Sequence, residues 1–144
     1  MHVPITALIV DDSEETREVL SLLINQAGAE VVGAVPDGIT ALEFLKMHPV
    51  DLIFTDYQMP KMNGIALAQE IRTRYPRVTL VMITVLDDMR LRERAAEAGI
   101  DMFLPKPITL STLETLVASL ERIPHSAEEW DRWLAQWAPR SQQI

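Results

Sequence analysis

The sequence predicts an α/β fold in which helices cover both faces of a parallel five-stranded sheet. Short apolar runs alternate with amphipathic segments over roughly the first 120 residues. The apolar runs are continuous rather than alternating with polar residues, which is typical of strands buried on both faces. Parallel neighbours of this kind are joined by right-handed crossovers. We therefore expect a doubly wound (βα)5 three-layer sandwich, followed by a short C-terminal helix.

The predicted strands are short, apolar and rich in β-branched residues, and most of them are bounded by turn formers. Turn formers such as Pro36-Asp37-Gly38, Pro49 and Asn63-Gly64 mark several of the boundaries. The expected strands are residues 5–10, 30–35, 52–55, 78–84 and 100–104.

Helical spacing of apolar residues fills the intervals between the strands. Ser13 or Asp12 is a candidate cap for the first helix, and Asn63 is one for the third. The expected helices cover about residues 14–27, 39–47, 64–75, 87–98 and 109–120. The first should turn Thr16, Val19, Leu20, Leu23 and Ala27 inward. The fourth has the weakest apolar stripe.

Composition excludes several classes of protein. The 144 residues suit one domain, and the absence of cysteine excludes disulfide scaffolds and cysteine-based metal sites. The net charge of −8 disfavours nucleic-acid binding by this chain alone. No signal-peptide pattern or membrane-length apolar run occurs. We expect a cytoplasmic protein without a membrane partner.

Chemically active side chains follow four of the five predicted strands. Asp11 and Asp12 end the first strand, Asp56 ends the third, Thr84 ends the fourth, and Lys106 follows the fifth. The carboxyl ends of parallel strands share one edge of the sheet, so these residues should converge there. Three acids repel one another, and a hard divalent cation with oxygen ligands, Mg²⁺ or Mn²⁺, would resolve that repulsion.

Such a site suits phosphoryl transfer. The Asp56 carboxylate can attack phosphorus, while Lys106 and the cation neutralise charge on the transferred oxygens. Thr84 could donate a hydrogen bond to a phosphoryl oxygen. Each residue has an ordinary structural alternative as a helix cap, a β-former or a solvated charge. Their joint placement at four strand ends favours the functional interpretation.

With these residues in this order, the sequence resembles the receiver domain of two-component response regulators. The resemblance covers roughly residues 5–123. It is carried by Asp11-Asp12, the stretch Asp56-Tyr57-Gln58-Met59-Pro60 with Asn63-Gly64, the hydroxyl of Thr84, and Lys106-Pro107. The resemblance implies the flavodoxin-like strand order 2-1-3-4-5. It also implies a receiver domain at 1–123 and a signalling switch rather than an enzyme.

The resemblance further assigns residue roles. It implies that Asp56 accepts phosphate from a histidine kinase or a phosphotransfer protein. Mg²⁺ would be held by Asp12, Asp56 and the backbone carbonyl of Gln58, with Asp11 acting partly through water. Thr84 and Phe103 would be the switch residues, although Phe103 lacks the hydroxyl of the more common tyrosine.

The resemblance also bears on signal lifetime and output. Residues at the positions of Gln58 and Leu86 influence the water that hydrolyses the acyl phosphate in this family, and leucine cannot hydrogen-bond that water. A long-lived phosphorylated state is therefore expected. Phosphorylation should change the surface formed by the fourth helix, fifth strand and fifth helix, and a downstream protein target should bind that surface.

Two other functions are open on sequence grounds. A phosphatase of the haloacid dehalogenase type also forms an aspartyl phosphate, but it requires a second acid where this chain has Gln58. A flavin-binding module of the flavodoxin type requires a phosphate-cradling loop after the first strand. Here that loop contains Asp11, Asp12, Glu14 and Glu15, which would repel phosphate unless a metal intervened.

Residues 124–144 form a separate tryptophan-rich extension in this interpretation. Ser126 and Glu129 have the spacing of a capping box. Trp130, Trp133, Leu134 and Trp137 follow at i, i+3, i+4 and i+7, so they share one helical face. That face could fold back on the same domain, form a homodimer or partner contact, or lead toward a further domain.

Overall fold

The computed structural model describes residues 4–86 and 88–120, in which five strands alternate with five helices. The strands are β1 Thr6–Val10, β2 Glu30–Val35, β3 Leu52–Thr55, β4 Thr79–Thr84 and β5 Met102–Pro105. The helices are α1 Glu14–Gln26, α2 Gly38–Met47, α3 Gly64–Arg74, α4 Met89–Glu97 and α5 Leu110–Leu120. The predicted domain boundary after residue 123 and the predicted tryptophan-rich helix lie outside the described residues.

All strands pair in parallel, in the order β2-β1-β3-β4-β5. The predicted fold class is confirmed. The chain winds outward in one direction from β1 and in the other direction from β3, so these two strands form the topological switch point. Open α/β sheets place their ligand sites at the carboxyl ends of such strands.

Two apolar layers hold the helices to the sheet. Leu8 and Ile53 point to the face covered by α2, α3 and α4, whereas Ile9 and Phe54 point to the face covered by α1 and α5. Successive side chains of a strand alternate between faces, so a strand covered on both faces is apolar along most of its length, and in β1 and β3 the exceptions are Thr6 and Thr55. Both strands are almost completely buried.

Side-chain caps fix where the helices begin. Ser13 accepts from the backbone N–H of Thr16, Asp37 from that of Thr40, and Asn63 from that of Ala66. Each cap stabilises its helix by about 1 kcal/mol. The backbone and side-chain hydrogen bonds of Thr40 lower the pKa of Asp37. The sequence indicated the caps of α1 and α3 but treated residues 36–38 as a turn only.

Two sequence expectations need correction. Val19 does not face the core: it is 50% exposed, and Leu20 and Ile24, one turn apart, are the buried residues of α1. Strand β5 begins at Met102 rather than at residue 100. The backbone N–H of Ile100 still bonds to Ala95 at the end of α4, so the chain is turning there.

None of the five helices in residues 4–86 and 88–120 has the length and hydrophobicity that crossing a lipid bilayer requires.

Candidate phosphoacceptor site

Two acids stand side by side at the switch point. Asp11 follows β1 directly, and its N–H donates to the carbonyl of Val35 on β2 at 3.1 Å. Asp56 follows β3, and its N–H donates to the carbonyl of Val10 on β1 at 3.1 Å. The sheet's own hydrogen bonding therefore sets the positions of both acids. Their side chains are largely buried, with 3% exposure for Asp11 and 12% for Asp56.

Lys106 bridges the two acids. Its Nζ lies 3.2 Å from Asp11 Oδ2 and 2.9 Å from Asp56 Oδ2. Burial lowers the pKa of Lys106, but hydrogen bonding to Asp56 and the charges of both acids outweigh it and raise the pKa overall. The ammonium therefore stays charged, and two carboxylates share one cation.

Backbone donors orient the remaining carboxylate oxygens. Asp11 Oδ1 accepts from the N–H of Ser13 at 2.9 Å, and Asp56 Oδ1 accepts from the N–H of Tyr57 at 2.7 Å. A longer bond of 3.4 Å joins the N–H of Gln58 to the same Asp56 oxygen. These bonds leave Oδ2 of each acid directed at the lysine.

Asp12 takes a different position from its neighbour. Its side chain is exposed and borders an open hollow of about 510 Å³ beside the acid pair. The hollow is lined by Asp12, Tyr57, Gln58, Met59, Pro60 and Asn63. Asp12, Gln58 and Asn63 therefore contribute oxygen-bearing side chains to a hollow whose wall includes the residues that follow Asp56.

The chemistry of this edge fits a hard divalent cation. Among the described residues, the three carboxylates of Asp11, Asp12 and Asp56 outnumber the charge of Lys106, which leaves surplus negative charge. Carboxylate and carbonyl oxygens are the ligands that Mg²⁺ prefers. Within the described residues, no three acids or histidines are already arranged closely enough to hold a metal ion by themselves. A backbone carbonyl and water would have to complete the coordination.

The two predicted switch residues lie on β4 and β5. Thr84 is fully buried, and its hydroxyl accepts from the N–H of Leu86 at 3.3 Å. The backbone N–H of Lys106 donates to the Thr84 carbonyl at 2.9 Å, which ties the ends of β4 and β5 together. Phe103 is half-buried, and the guanidinium of Arg92 on α4 lies 4.9 Å from its ring centroid.

Two residues, Gly64 and Arg17, support the site through contacts that the sequence interpretation did not predict. The N–H of Gly64 donates to the Tyr57 carbonyl at 2.9 Å, and a Cβ at Gly64 would collide with the backbone carbonyl of Asp56. Glycine is therefore required where α3 meets the acceptor loop. Arg17 on α1 donates to the Asp11 carbonyl at 2.7 Å. One indication of the Arg17 contact was present in the sequence: an arginine that lies one turn into the helix after an acidic pair.

Residues 7–118 match the family described as the response regulator receiver domain. The chain belongs to that family. This identity and the observed strand order agree with the sequence-based prediction, whereas the phosphatase and flavin-binding alternatives receive no support from the match.

Individual relatives agree with this receiver assignment. The chain is 30% identical to a probable chemotaxis protein CheY of Rhizobium etli over 81% of this chain and 92% of that protein. It is 31% identical to the sensor protein EvgS of Escherichia coli K12 over 88% of this chain but only 10% of EvgS. It spans 54% of the transcriptional regulatory protein PdtaR of Mycobacterium tuberculosis, at 36% identity.

Solved receiver structures share the fold. CheY in the CheX–CheY–BeF₃–Mg²⁺ complex of Borrelia burgdorferi superimposes with a TM-score of 0.76 at 28% identity. The match covers 82% of this chain and 90% of that one.

Proposed function

We propose that this receiver domain is a phosphorylatable switch in which Asp56 accepts a phosphoryl group from a phosphohistidine. The donor would be a histidine kinase or a phosphotransfer protein. The observation that carries the proposal is the Asp56 carboxylate, 12% exposed at the end of the central strand and 2.9 Å from Lys106. A nucleophile in that position is reachable from the loop edge yet held in a fixed orientation.

The transfer balances as a displacement at phosphorus. An Asp56 oxygen forms a bond to phosphorus, the bond from phosphorus to the donor imidazole nitrogen breaks, and the electron pair returns to that nitrogen. Lys106 then pairs with oxygens of the new phosphoryl group as well as with Asp11. The Thr84 hydroxyl accepts a bond from Leu86, so its own proton is available to donate to a phosphoryl oxygen.

Asp12, Asp56 and the Gln58 carbonyl would hold Mg²⁺ or Mn²⁺, with Asp11 acting through water. When bound, the ion supplies positive charge to the oxygens of the transferred group. The surplus negative charge of the site and the hollow beside Asp12 support this assignment, as does the Mg²⁺ complex of the related CheY. The phosphorylated domain would then change the surface formed by α4, β5 and α5, which faces its protein target.

Labelling by a small phosphodonor tests the acceptor and its metal requirement. Incubation with acetyl phosphate and Mg²⁺ should add one acid-stable, base-labile phosphoryl group, seen by intact mass, and EDTA should prevent the addition. Asp56→Asn preserves the shape but removes the nucleophile, so it should not be labelled. Asp37→Asn, at a helix cap that asparagine also satisfies, is the matched control.

Labelling of Asp56→Asn at the wild-type rate would overturn the acceptor assignment. Wild-type labelling that survives EDTA would overturn the metal requirement alone.

A further inference from the structure

An apolar groove runs along α1 and reaches Lys106 of the acceptor site at one end. Its volume is about 460 Å³. The middle of α1, the end of β4 and the segment between β5 and α5 form its walls. Two of its lining side chains are exposed although they are apolar: Val19 is 50% exposed and Val85 is 67% exposed.

The groove does not belong to the packed core. Leu20 and Ile83 close its floor, whereas Val19 and Val85 rise from its sides toward solvent. Polar residues, among them Glu15 and Lys106, border this apolar surface. Exposed apolar patches with a polar border are typical of sites where another segment or molecule binds.

The same chain contains a segment that suits this surface. Trp130, Trp133, Leu134 and Trp137 recur at i, i+3, i+4 and i+7 and would form one apolar helical face. A helix of this length is marginal in water, so it needs a surface against which to fold. Large aromatic side chains also bury the most area for each residue that is ordered.

The connection is long enough for an intramolecular contact. Helices α1 and α5 pack together through Leu20, Ile24, Leu113 and Val117, so α5 runs alongside the groove's helix. From Leu110 to Leu120, α5 rises about 15 Å. The nine residues between Leu120 and Trp130 can span up to about 30 Å. The chain can therefore leave α5 and return along its full length to the groove.

We propose that residues 130–137 of this chain dock as a helix in the α1 groove of the same molecule, with their tryptophans covering Val19 and Val85. The groove ends at Lys106 and Pro107, so the docked segment lies beside the acceptor site.

Tryptophan fluorescence reports this contact directly because all three tryptophans of the chain lie in the segment. Val19→Asp and Val85→Asp place a charge in the groove at side chains that are already half exposed or more, so the domain should still fold. Both variants should shift the emission to longer wavelength and increase quenching by acrylamide. Leu22→Asp is the matched control because Leu22 is 65% exposed on α1 and does not line the groove.

Circular dichroism checks folding, and Val19→Ser and Val85→Ser give a milder test if either aspartate variant unfolds. Unchanged emission in both groove variants would overturn the proposal, as would an equal shift in Leu22→Asp. Emission that shifts on dilution, together with a dimeric mass in sedimentation, would instead make a second copy the occupant. The assignment of Asp56 as the acceptor is tested separately by the labelling experiment, so either proposal can fail while the other holds.

Discussion

At the scale of single residues, charge balance dominates the acceptor site. Lys106 is bonded to both Asp11 and Asp56, and its side chain is 22% exposed. Its position is set by β5 and by the backbone bond to Thr84, not by the acids alone. The lysine can therefore shift between carboxylate and phosphoryl oxygens without moving the strand that carries it.

Replacing this lysine should impair the phosphorylation-linked change more than folding. Lys106→Met keeps the apolar stem and removes the charge, which should cost about 1–3 kcal/mol of unfolding free energy without metal. Saturating Mg²⁺ should restore part of that loss, while the conformational response to phosphorylation should disappear. Urea unfolding and amide exchange measure the two effects. Lys46→Met, on the exposed side of α2, is the control.

Failure of Lys106→Met to fold at saturating Mg²⁺ would show that Lys106 is a structural residue.

Leu86 bears on the lifetime of the proposed acyl phosphate. Its N–H bonds to Thr84, and its side chain is 37% exposed, so it lies next to the switch hydroxyl without being able to hold a water. Leu86→Glu should speed dephosphorylation by up to about tenfold, because a carboxylate can orient and partly deprotonate the attacking water. Decay of the labelled protein measures this, with Leu86→Met as the control. Equal or slower decay in Leu86→Glu would contradict the interpretation.

At the scale of elements, α4 is more thinly packed than α3, with which it shares one apolar layer. It buries only Leu91 and Ala95, whereas α3 buries five residues along a similar length. Its remaining link to β5 includes the contact of Arg92 with the ring of Phe103. A helix with so little buried surface can shift at low cost, which a two-state element requires.

Phosphorylation should therefore change amide exchange in α4 and leave β1 and β3 unaffected. We expect a several-fold change in exchange rate for Met89–Glu97, because the local opening free energy of a thinly packed helix is small. Mass spectrometry of peptides from labelled and unlabelled protein makes the comparison. Peptides from β3, which is buried on both faces, serve as the internal reference. Identical α4 exchange in the two states would favour a static helix.

At the scale of the whole molecule, the acceptor site is coupled to global stability. Its residues come from β1, β3, β4 and the segment after β5, and the Lys106 ion pairs join chain positions 95 and 50 residues apart. Unfolding separates them and returns Lys106 to its ordinary pKa of 10.5. Because the folded pKa is higher, protonated Lys106 stabilises the folded state.

This contribution should be complete below pH 10.5 and should be lost as the pH rises through the higher folded value. Urea unfolding between pH 8 and pH 12 should show a steeper alkaline decline for the wild type than for Lys106→Met. All other ionisable side chains are the same in the two proteins, so the difference between the two curves isolates Lys106. Parallel curves would mean that the ion pairs contribute nothing measurable.

The sequence by itself determined the fold class and most of the site. Continuous apolar runs require strands buried on both faces, and their alternation with helices requires parallel connections, so Asp56 and Lys106 had to reach the same edge. Those inferences depend on local periodicity and chain direction, which the sequence contains in full. Strands β2 and β3 were predicted at their observed bounds for this reason.

Only the tertiary structure decided how the side chains meet. Lys106 lies between Asp11 and Asp56, while Asp12, the adjacent residue, faces an open hollow. Val19, predicted to be inward, instead borders a groove. An amphipathic stripe gives the direction of a helix face to within about one residue, or 100°. The rotation of α1 on the sheet and the reach of each side chain depend on contacts between segments far apart in the chain.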